Sequence, residues 1–137
     1  KHDISVPISR IPAFVADTDA RLAREIPGVR LVNFGHLGDG NLHYNVQAPA
    51  DSDPQVFLRE QEAHVNHLVY EAVAQFGGSF SAEHGIGALK VEKLEKYQSP
   101  TALAMMRAIK AALDPQGTMN PGRVLSKTPP VPPAPAR

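Results

Sequence analysis

An Asp-Gly pair near the start of the chain constrains the fold more than any other local feature. It separates two runs rich in β-forming residues, "VRLVNFGH" at positions 29–36 and "NLHYNV" at positions 41–46. Asp-Gly is favoured in tight two-residue hairpin turns, because these residues tolerate the positive φ that both turn positions require. The sequence therefore predicts an antiparallel hairpin that turns at Asp39 and Gly40 and pairs His36 with His43.

The spacing of apolar residues predicts strands and helices around this hairpin. It indicates a short strand over 3–7, a helix that ends at Pro27-Gly28, a long helix over 53–76 and a last helix that starts at Ser99. "SFS" at 79–81 indicates one further short strand. The order strand, helix, strand, strand, helix, strand, helix fits an α+β ferredoxin-like sandwich, an antiparallel sheet with helices on one face.

The same spacing predicts which side of each helix is buried. The first helix is expected to bury Ile11, Phe14, Val15, Leu22 and Ile26; the long helix Leu58, Val65, Leu68, Val69, Ala72 and Phe76; and the last helix Leu103, Met106, Ile109 and Leu113.

The hairpin carries two of the chain's six histidines. Directly opposed residues of a hairpin have Cβ atoms roughly 4.5–5.5 Å apart, from which two imidazoles can bind one ion. Two-residue alternation adds Asn45 to the face of His36 and His43, and sends Leu42 and Tyr44 to the other face. From the pair alone, a metal site and two hydrogen-bonded strand histidines fit the sequence equally well.

The segment "SAEHGIG" offers a third ligand. Two histidines and a glutamate, with one position left open, are typical of catalytic rather than structural zinc sites. Glu83 and His84 are adjacent, so both can serve one site only if the chain bends there, and Gly85 and Gly87 permit a bend. Taken alone, the segment is more typical of a polar turn.

Composition excludes several classes of function. Fourteen basic residues balance fourteen acidic ones, so no global field attracts nucleic acid or an anionic membrane. Cysteine is absent, which removes disulfides and thiolate metal sites, and no apolar run reaches the ~20 residues needed to cross a bilayer. His64 and His67 share a polar helical stripe with Glu60 and Glu71 and are expected on the solvated surface.

Four segments taken together resemble one enzyme family. They are "KHDISVPISRI", "GHLGDGNLHYN", "GGSFSAEHGIG" and "DPQGTMNPGRVL". They resemble, in the same order, the C-terminal part of the FAD-linked oxidases that include D-lactate dehydrogenase, the glycolate oxidase FAD-linked subunit and D-2-hydroxyglutarate dehydrogenase. The resemblance implies that residues 1–125 are the C-terminal part of a substrate (cap) domain. The proline-rich residues 126–137 are expected to be a disordered tail.

The resemblance also implies a metal site and a general base. In these enzymes, the two hairpin histidines and the glutamate of the EHG motif bind a divalent metal, which indicates His36, His43 and Glu83 as ligands of zinc or manganese. The histidine after that glutamate acts as general base, which indicates His84.

Three further residues acquire a role by the same resemblance. Lys1 and Asn45 match residues that contact the substrate. Asn120 matches a residue near the flavin, although a plain turn residue before Pro121 fits the sequence equally well.

The expected function is oxidation of a D-2-hydroxy acid, or glycolate, to the 2-oxo acid, with FAD accepting the hydride. The FAD-binding domain of the same parent chain is expected to lie outside this sequence, so this fragment alone is expected to be inactive. Its expected location is the cytoplasm. An electron acceptor could hold the parent protein at the periphery of a membrane.

One alternative is a small metallohydrolase that uses the same ion without flavin. Another is a non-catalytic ferredoxin-like binding or dimerisation module, whose exposed sheet face favours a homo-oligomer.

Overall fold

A computed structural model describes residues 1–127 of the chain. Most of the tail predicted over 126–137 lies outside the described residues. The chain divides into two compact units, of which the first is Lys1–Gly85 and the second begins at Ile86. Among the described residues, no helix is both long enough and apolar enough to cross a membrane.

The first unit is a three-stranded antiparallel sheet with two helices. Its elements in chain order are β1 (His2–Ser5), α1 (Ile11–Glu25), β2 (Arg30–His36), β3 (Asn41–Gln47) and α2 (Pro54–Gln75). Strand β3 lies in the centre, between β1 and β2. The α+β prediction is therefore confirmed. The strand predicted at "SFS" is wrong, because only Ser79 pairs with the sheet, through one isolated bridge to Ser5.

Local sequence explains where the long helix starts. The side chain of Asp53 accepts hydrogen bonds from the backbone N–H groups of Gln55 (2.7 Å) and Val56 (3.3 Å), and Pro54 occupies the first turn. These are the N-cap and N1 preferences of helices, since the first N–H groups lack a partner within the helix. The α2 helix therefore begins where the sequence predicts.

The core of the first unit lies between the helices and one face of the sheet. Its fully buried side chains include Phe14 and Leu22 of α1, Tyr44 of β3, and Val69 and Val73 of α2. The ring of Phe14 contacts the rings of Tyr44 and Phe76 edge-on, at centroid distances of 5.8 and 5.6 Å. Leu58 was expected in this core but is 52% exposed, because only the second half of α2 covers the sheet.

The hairpin differs from its predicted register. The observed pairs are Phe34 with His43 and His36 with Asn41, because residues Leu37–Asp39 form a 3-10 turn and Gly40 follows in the left-handed conformation at φ +69°. The turn is therefore two residues longer than predicted, and the direct His36–His43 pairing is wrong. A shift by two residues preserves the faces of a strand, so both histidines still lie on one face.

The second unit contains two helices among its described residues, α3 (Val91–Tyr97) and α4 (Pro100–Leu113). Helix α4 begins as predicted, with the Ser99 hydroxyl accepting the N–H of Ala102 at 3.2 Å. Its predicted buried side is largely wrong: Leu103 is buried, whereas Ile109 and Leu113 are 59% and 78% exposed. Periodicity identifies an apolar stripe but does not show that another element covers it.

Candidate active site

The two faces of the sheet differ in chemistry. Ile4, Leu42 and Tyr44 point toward the helices and are buried. The opposite face carries the histidines of the hairpin, and its apolar side chains Val32 and Phe34 are 44% and 59% exposed. The alternation that the sequence predicts for β3 therefore separates a packing face from a polar face.

One carboxylate lies between the two hairpin histidines. Oε1 of Glu83 is 2.9 Å from Nδ1 of His36, and Oε2 of Glu83 is 3.7 Å from Nε2 of His43. The two imidazole centroids are 6.3 Å apart, with their planes nearly perpendicular. The Glu83 carboxylate thus contacts both histidines predicted as metal ligands, although the histidines are diagonal rather than direct neighbours.

His84 lies beside this cluster. Its Nδ1 is 3.5 Å from Oδ2 of Asp3, and its ring centroid is 6.4 Å from that of His43. Its side chain is 69% exposed, which leaves the imidazole open to a small molecule. Gly85 follows at φ +71°, and its carbonyl accepts a hydrogen bond from the Ser81 hydroxyl at 2.6 Å, which closes the turn.

Asp3 is the site residue that the sequence analysis missed. It pairs with His43 across β1 and β3, so both lie on the polar face. Its Oδ2 accepts hydrogen bonds from the backbone N–H groups of Glu83 (2.9 Å) and His84 (2.8 Å). Ligand atoms of Asp3, His43 and Glu83 lie within 4.8 Å of one another, close enough to hold a metal ion. The sequence contains a signal that could have identified Asp3, because side chains alternate between faces along β1 and this places Asp3 on one face and the apolar Ile4 on the other.

The two residues expected to contact substrate lie on or next to this sheet. Asn45 is on the polar face of β3, and its side-chain amide donates to the carbonyl of His43 at 3.4 Å. Lys1 is exposed and directly precedes β1. Their roles remain predictions.

Asn120, the expected flavin neighbour, belongs to the second unit. Its backbone is left-handed at φ +47°, and its carbonyl accepts the N–H of Arg123 at 3.2 Å. Those features fit the turn that the sequence allowed as an alternative, and the role near flavin stays a prediction.

A second asparagine lies deeper in the hairpin. Asn41 is only 2% exposed and pairs with His36. In the part of the chain that the structure describes, neither polar atom of its side-chain amide has a hydrogen-bond partner. Buried polar groups rarely lack a hydrogen-bond partner in folded proteins, so Asn41 is an exception within this hairpin.

The remaining histidines lie outside the cluster. His64 and His67 have side chains 44% and 58% exposed on α2, in agreement with the predicted solvated surface. His2, which the sequence left uninterpreted, is buried on the helix face. Its ring nitrogens contact the carbonyl of Tyr44 at 3.0 Å and the side-chain oxygen of Asn66 at 2.8 Å.

Comparison with known proteins gives one consistent result. Residues 1–124 match the family "FAD linked oxidases, C-terminal domain". The chain is 44% identical over 126 residues to D-2-hydroxyglutarate dehydrogenase of Stutzerimonas stutzeri (strain A1501), which is 92% of this chain and 27% of that protein. It is 43% identical over 125 residues to mitochondrial D-2-hydroxyglutarate dehydrogenase of Bos taurus, which is 91% of this chain and 22% of that protein. The chain thus spans about a quarter of the length of these curated relatives.

Proposed function

This chain belongs to the family of FAD linked oxidases, C-terminal domain, and from that premise we propose that it supplies the metal-binding, substrate-binding and proton-accepting residues of a flavin-dependent 2-hydroxy-acid dehydrogenase. The observation that carries the proposal is the convergence of Glu83 with His36 and His43 on one open sheet face. The relatives are named D-2-hydroxyglutarate dehydrogenases, so D-2-hydroxyglutarate is the first substrate to test.

The donor set fits a divalent metal. Two imidazoles and one carboxylate, from His36, His43 and Glu83, are ligands suited to zinc, and carboxylate-containing sets also suit manganese. A metal held there would supply Lewis-acid chemistry that makes the substrate hydroxyl more acidic. The side chains of His36 and Glu83 are 62% and 42% exposed, so an ion can reach them from solvent.

His84 is the proposed general base. Its Nδ1 lies beside the Asp3 carboxylate, so we assign Nε2 as the nitrogen that accepts the hydroxyl proton of the substrate. Histidine is the side chain that most often serves as general base in enzymes. In the same proposal, the Lys1 ammonium neutralises the substrate carboxylate, and the Asn45 amide orients it.

FAD is implied by the family, and when bound it would supply the acceptor for the C2 hydrogen of the substrate, which leaves as hydride. Within this chain, Asn120 is the candidate for contact with it. Because the chain covers about a quarter of its relatives, we propose that an FAD-binding domain of the same parent protein provides the rest of the flavin site. The cytoplasmic location expected from the sequence stays a prediction, since relatives named as mitochondrial are among the matches.

Both alternative functions are less consistent with the comparisons. A metallohydrolase does not explain a family match that extends through the C-terminal "DPQGTMNPG" segment to residue 124. A non-catalytic module does not require histidine and carboxylate side chains to converge on one face. Self-association remains a separate property that oligomer measurements can test.

Metal titration tests the proposal directly. We expect isothermal titration of the chain with zinc or manganese to show one site, which the His36→Ala, His43→Ala double variant abolishes. The loss of affinity should exceed the roughly 10–100-fold that removal of an outer-shell partner costs, because two direct ligands are removed.

The matched control removes two histidines elsewhere. The His64→Ala, His67→Ala variant changes the same number of imidazoles on the exposed side of α2 and should bind metal like the wild type. If both double variants gave the same binding curve as the wild type, the hairpin would not be the metal site.

A further inference from the structure

We propose that Asp3 is the positioning residue that aims both Glu83 and His84 at the same site. This inference rests on the proposed function, because it explains how two adjacent residues can serve as a metal ligand and as a general base. Nothing in the family match assigns a role to Asp3.

The contacts of one carboxylate oxygen carry the inference. Oδ2 of Asp3 accepts the backbone N–H of Glu83 at 2.9 Å and that of His84 at 2.8 Å. Two consecutive amides that point at one oxygen fix the orientation of both peptide planes. The directions in which the side chains of Glu83 and His84 leave the backbone are then fixed as well. In a regular strand these side chains would point to opposite faces, so this pair of hydrogen bonds produces the bend that the site requires.

The backbone of Asp3 holds the same segment. Its carbonyl accepts the N–H of Ala82 at 3.3 Å, so Asp3 contacts three consecutive amides, at positions 82–84. Strand β1 in turn pairs with β3, where Asp3 lies opposite His43. Asp3 therefore connects the segment that carries Glu83 and His84 to the strand that carries His43.

Burial and charge make this contact strong. The side chain of Asp3 is only 4% exposed. A buried carboxylate is costly unless it is paired and hydrogen-bonded, and hydrogen bonds to an ionised acceptor are about twice as strong as neutral ones. A buried carboxyl group whose oxygen faces two consecutive backbone amides is consistent with a role in holding the 82–84 segment rather than with that of a surface polar residue.

The first test uses the metal-free chain and three variants. Asp3→Ala removes the acceptor, Asp3→Asn keeps a carbonyl oxygen at the same place, and Asp51→Ala removes an exposed aspartate of the same unit as a control. We expect amide hydrogen exchange at Glu83 and His84 to accelerate in Asp3→Ala, to be restored largely in Asp3→Asn and to stay unchanged in Asp51→Ala. Amides in the middle of α2 report whether each variant is folded. Unchanged exchange at Glu83 and His84 in folded Asp3→Ala would overturn the inference.

The second test measures metal affinity in the same variants. Loss of an outer-shell partner typically costs about 10–100-fold in metal affinity, which is the loss we expect for Asp3→Ala, with most of it recovered in Asp3→Asn. An equal loss in both variants would show that the charge binds the ion directly, and Asp3 would then be a ligand rather than a positioning residue. If the wild type bound no metal, the proposed function would fail, whereas the exchange experiment would still decide the role of Asp3.

Discussion

At the scale of single residues, strand β3 shows how one short segment serves both the core and the site. Tyr44 is fully buried among the helices, and its neighbours His43 and Asn45 lie on the polar face. The hydroxyl of Tyr44 donates a hydrogen bond to Oδ1 of Asp19 at 2.5 Å, which ties β3 to α1. The positions of His43 and Asn45 therefore depend on the hydrogen bond between Tyr44 and Asp19, which lies on the opposite face of the sheet.

Tyr44→Phe tests this anchor. The substitution leaves the ring contacts in place but removes the donor to a carboxylate, so we expect a loss of about 1.5–3 kcal/mol in the free energy of unfolding, as for hydrogen bonds to charged groups. Urea denaturation measures it. Tyr97→Phe is the control, because Tyr97 lies on α3, is partly exposed and accepts a solvent-exposed hydrogen bond from Lys96, so it should change stability much less. Equal losses of unfolding free energy in the two variants would mean that the hydrogen bond from Tyr44 to Asp19 stabilises the fold no more than the hydroxyl of Tyr97 does.

The same tyrosine makes stability depend on alkaline pH. Burial, and then the hydrogen bond to Asp19, raise the pKa of Tyr44 well above its ordinary value of 10.0. Above that pH the unfolded chain loses a proton that the folded chain keeps, so the contribution of Tyr44 is complete below pH 10 and declines as the pH rises. Between pH 10 and 11 the wild type should lose stability more steeply than Tyr44→Phe, by at most about 1.4 kcal/mol.

At the scale of elements, the hairpin turn sets the relation between the two histidines. Gly40 has φ +69°, its carbonyl accepts the N–H of Val6 at 3.0 Å, and a Cβ atom at Gly40 would lie 2.3 Å from the carbonyl oxygen of Val6. The turn thus packs against the chain that follows β1. This contact, distant in sequence, favours the longer turn over the two-residue turn that Asp-Gly predicts.

Gly40→Ala should therefore disturb both the fold and the site. Left-handed backbone alone costs a residue other than glycine about 1–3 kcal/mol, and the clash with Val6 adds to it. Gly38→Ala lies in the same turn, where an added Cβ meets no atom within 4 Å, and should change stability by less than about 0.5 kcal/mol. Chemical denaturation compares the two, and metal affinity should fall in Gly40→Ala alone. If Gly38→Ala were as destabilising, the turn would not have the geometry described.

The sequence predicts elements better than it predicts contacts between them. Local signals placed β1, α1, α2, α4 and the hairpin, because caps and periodicity act within a few residues. Helix α3 was missed because its seven residues, Val91–Tyr97, are too few for a clear period. Leu58 and Ile109 were misplaced because burial depends on what another element covers.

In the candidate site, too, the sequence predicts local features better than contacts between distant residues. Alternation was enough to place His36, His43 and Asn45 on one face, even with the register off by two. The sequence proposed Glu83 as a partner of these histidines from its residue type and from the resemblance, but no local pattern predicts their contact, because it joins positions 40 and 47 residues apart. Asp3 was missed because its role depends on hydrogen bonds to amides 80 and 81 positions away.

At the scale of the whole molecule, the proposed reaction divides between this chain and the proposed FAD-binding domain. The proposed metal ligands and His84 lie within the first unit, whereas we propose that an FAD-binding domain outside this chain provides most of the flavin site. The metal-binding and proton-transfer parts of the proposal therefore require different experiments. Metal binding can be measured on this chain, but proton removal by His84 can be measured only where a flavin accepts the hydride.

A chimera provides that flavin. This chain would replace the matching segment of D-2-hydroxyglutarate dehydrogenase from Stutzerimonas stutzeri, to which it is 44% identical. In the FAD-loaded chimera, we expect His84→Asn to lower the rate of flavin reduction by about 10²–10⁴, the usual effect of general-base catalysis, with bound metal nearly unchanged. Stopped-flow absorbance follows flavin reduction, and elemental analysis gives the metal content.

Two comparison variants separate the base from the ligands. Glu83→Gln should lower metal content as well as rate, because it removes a charged ligand, whereas His67→Asn changes an exposed histidine of α2 and should alter neither. A His84→Asn chimera that reduces flavin at the wild-type rate would refute the assignment of the base. A His84→Asn chimera that also loses its metal would show that His84 is a ligand. The imidazole centroids of His84 and His43 are 6.4 Å apart, which is near enough for either role, so the metal content distinguishes them.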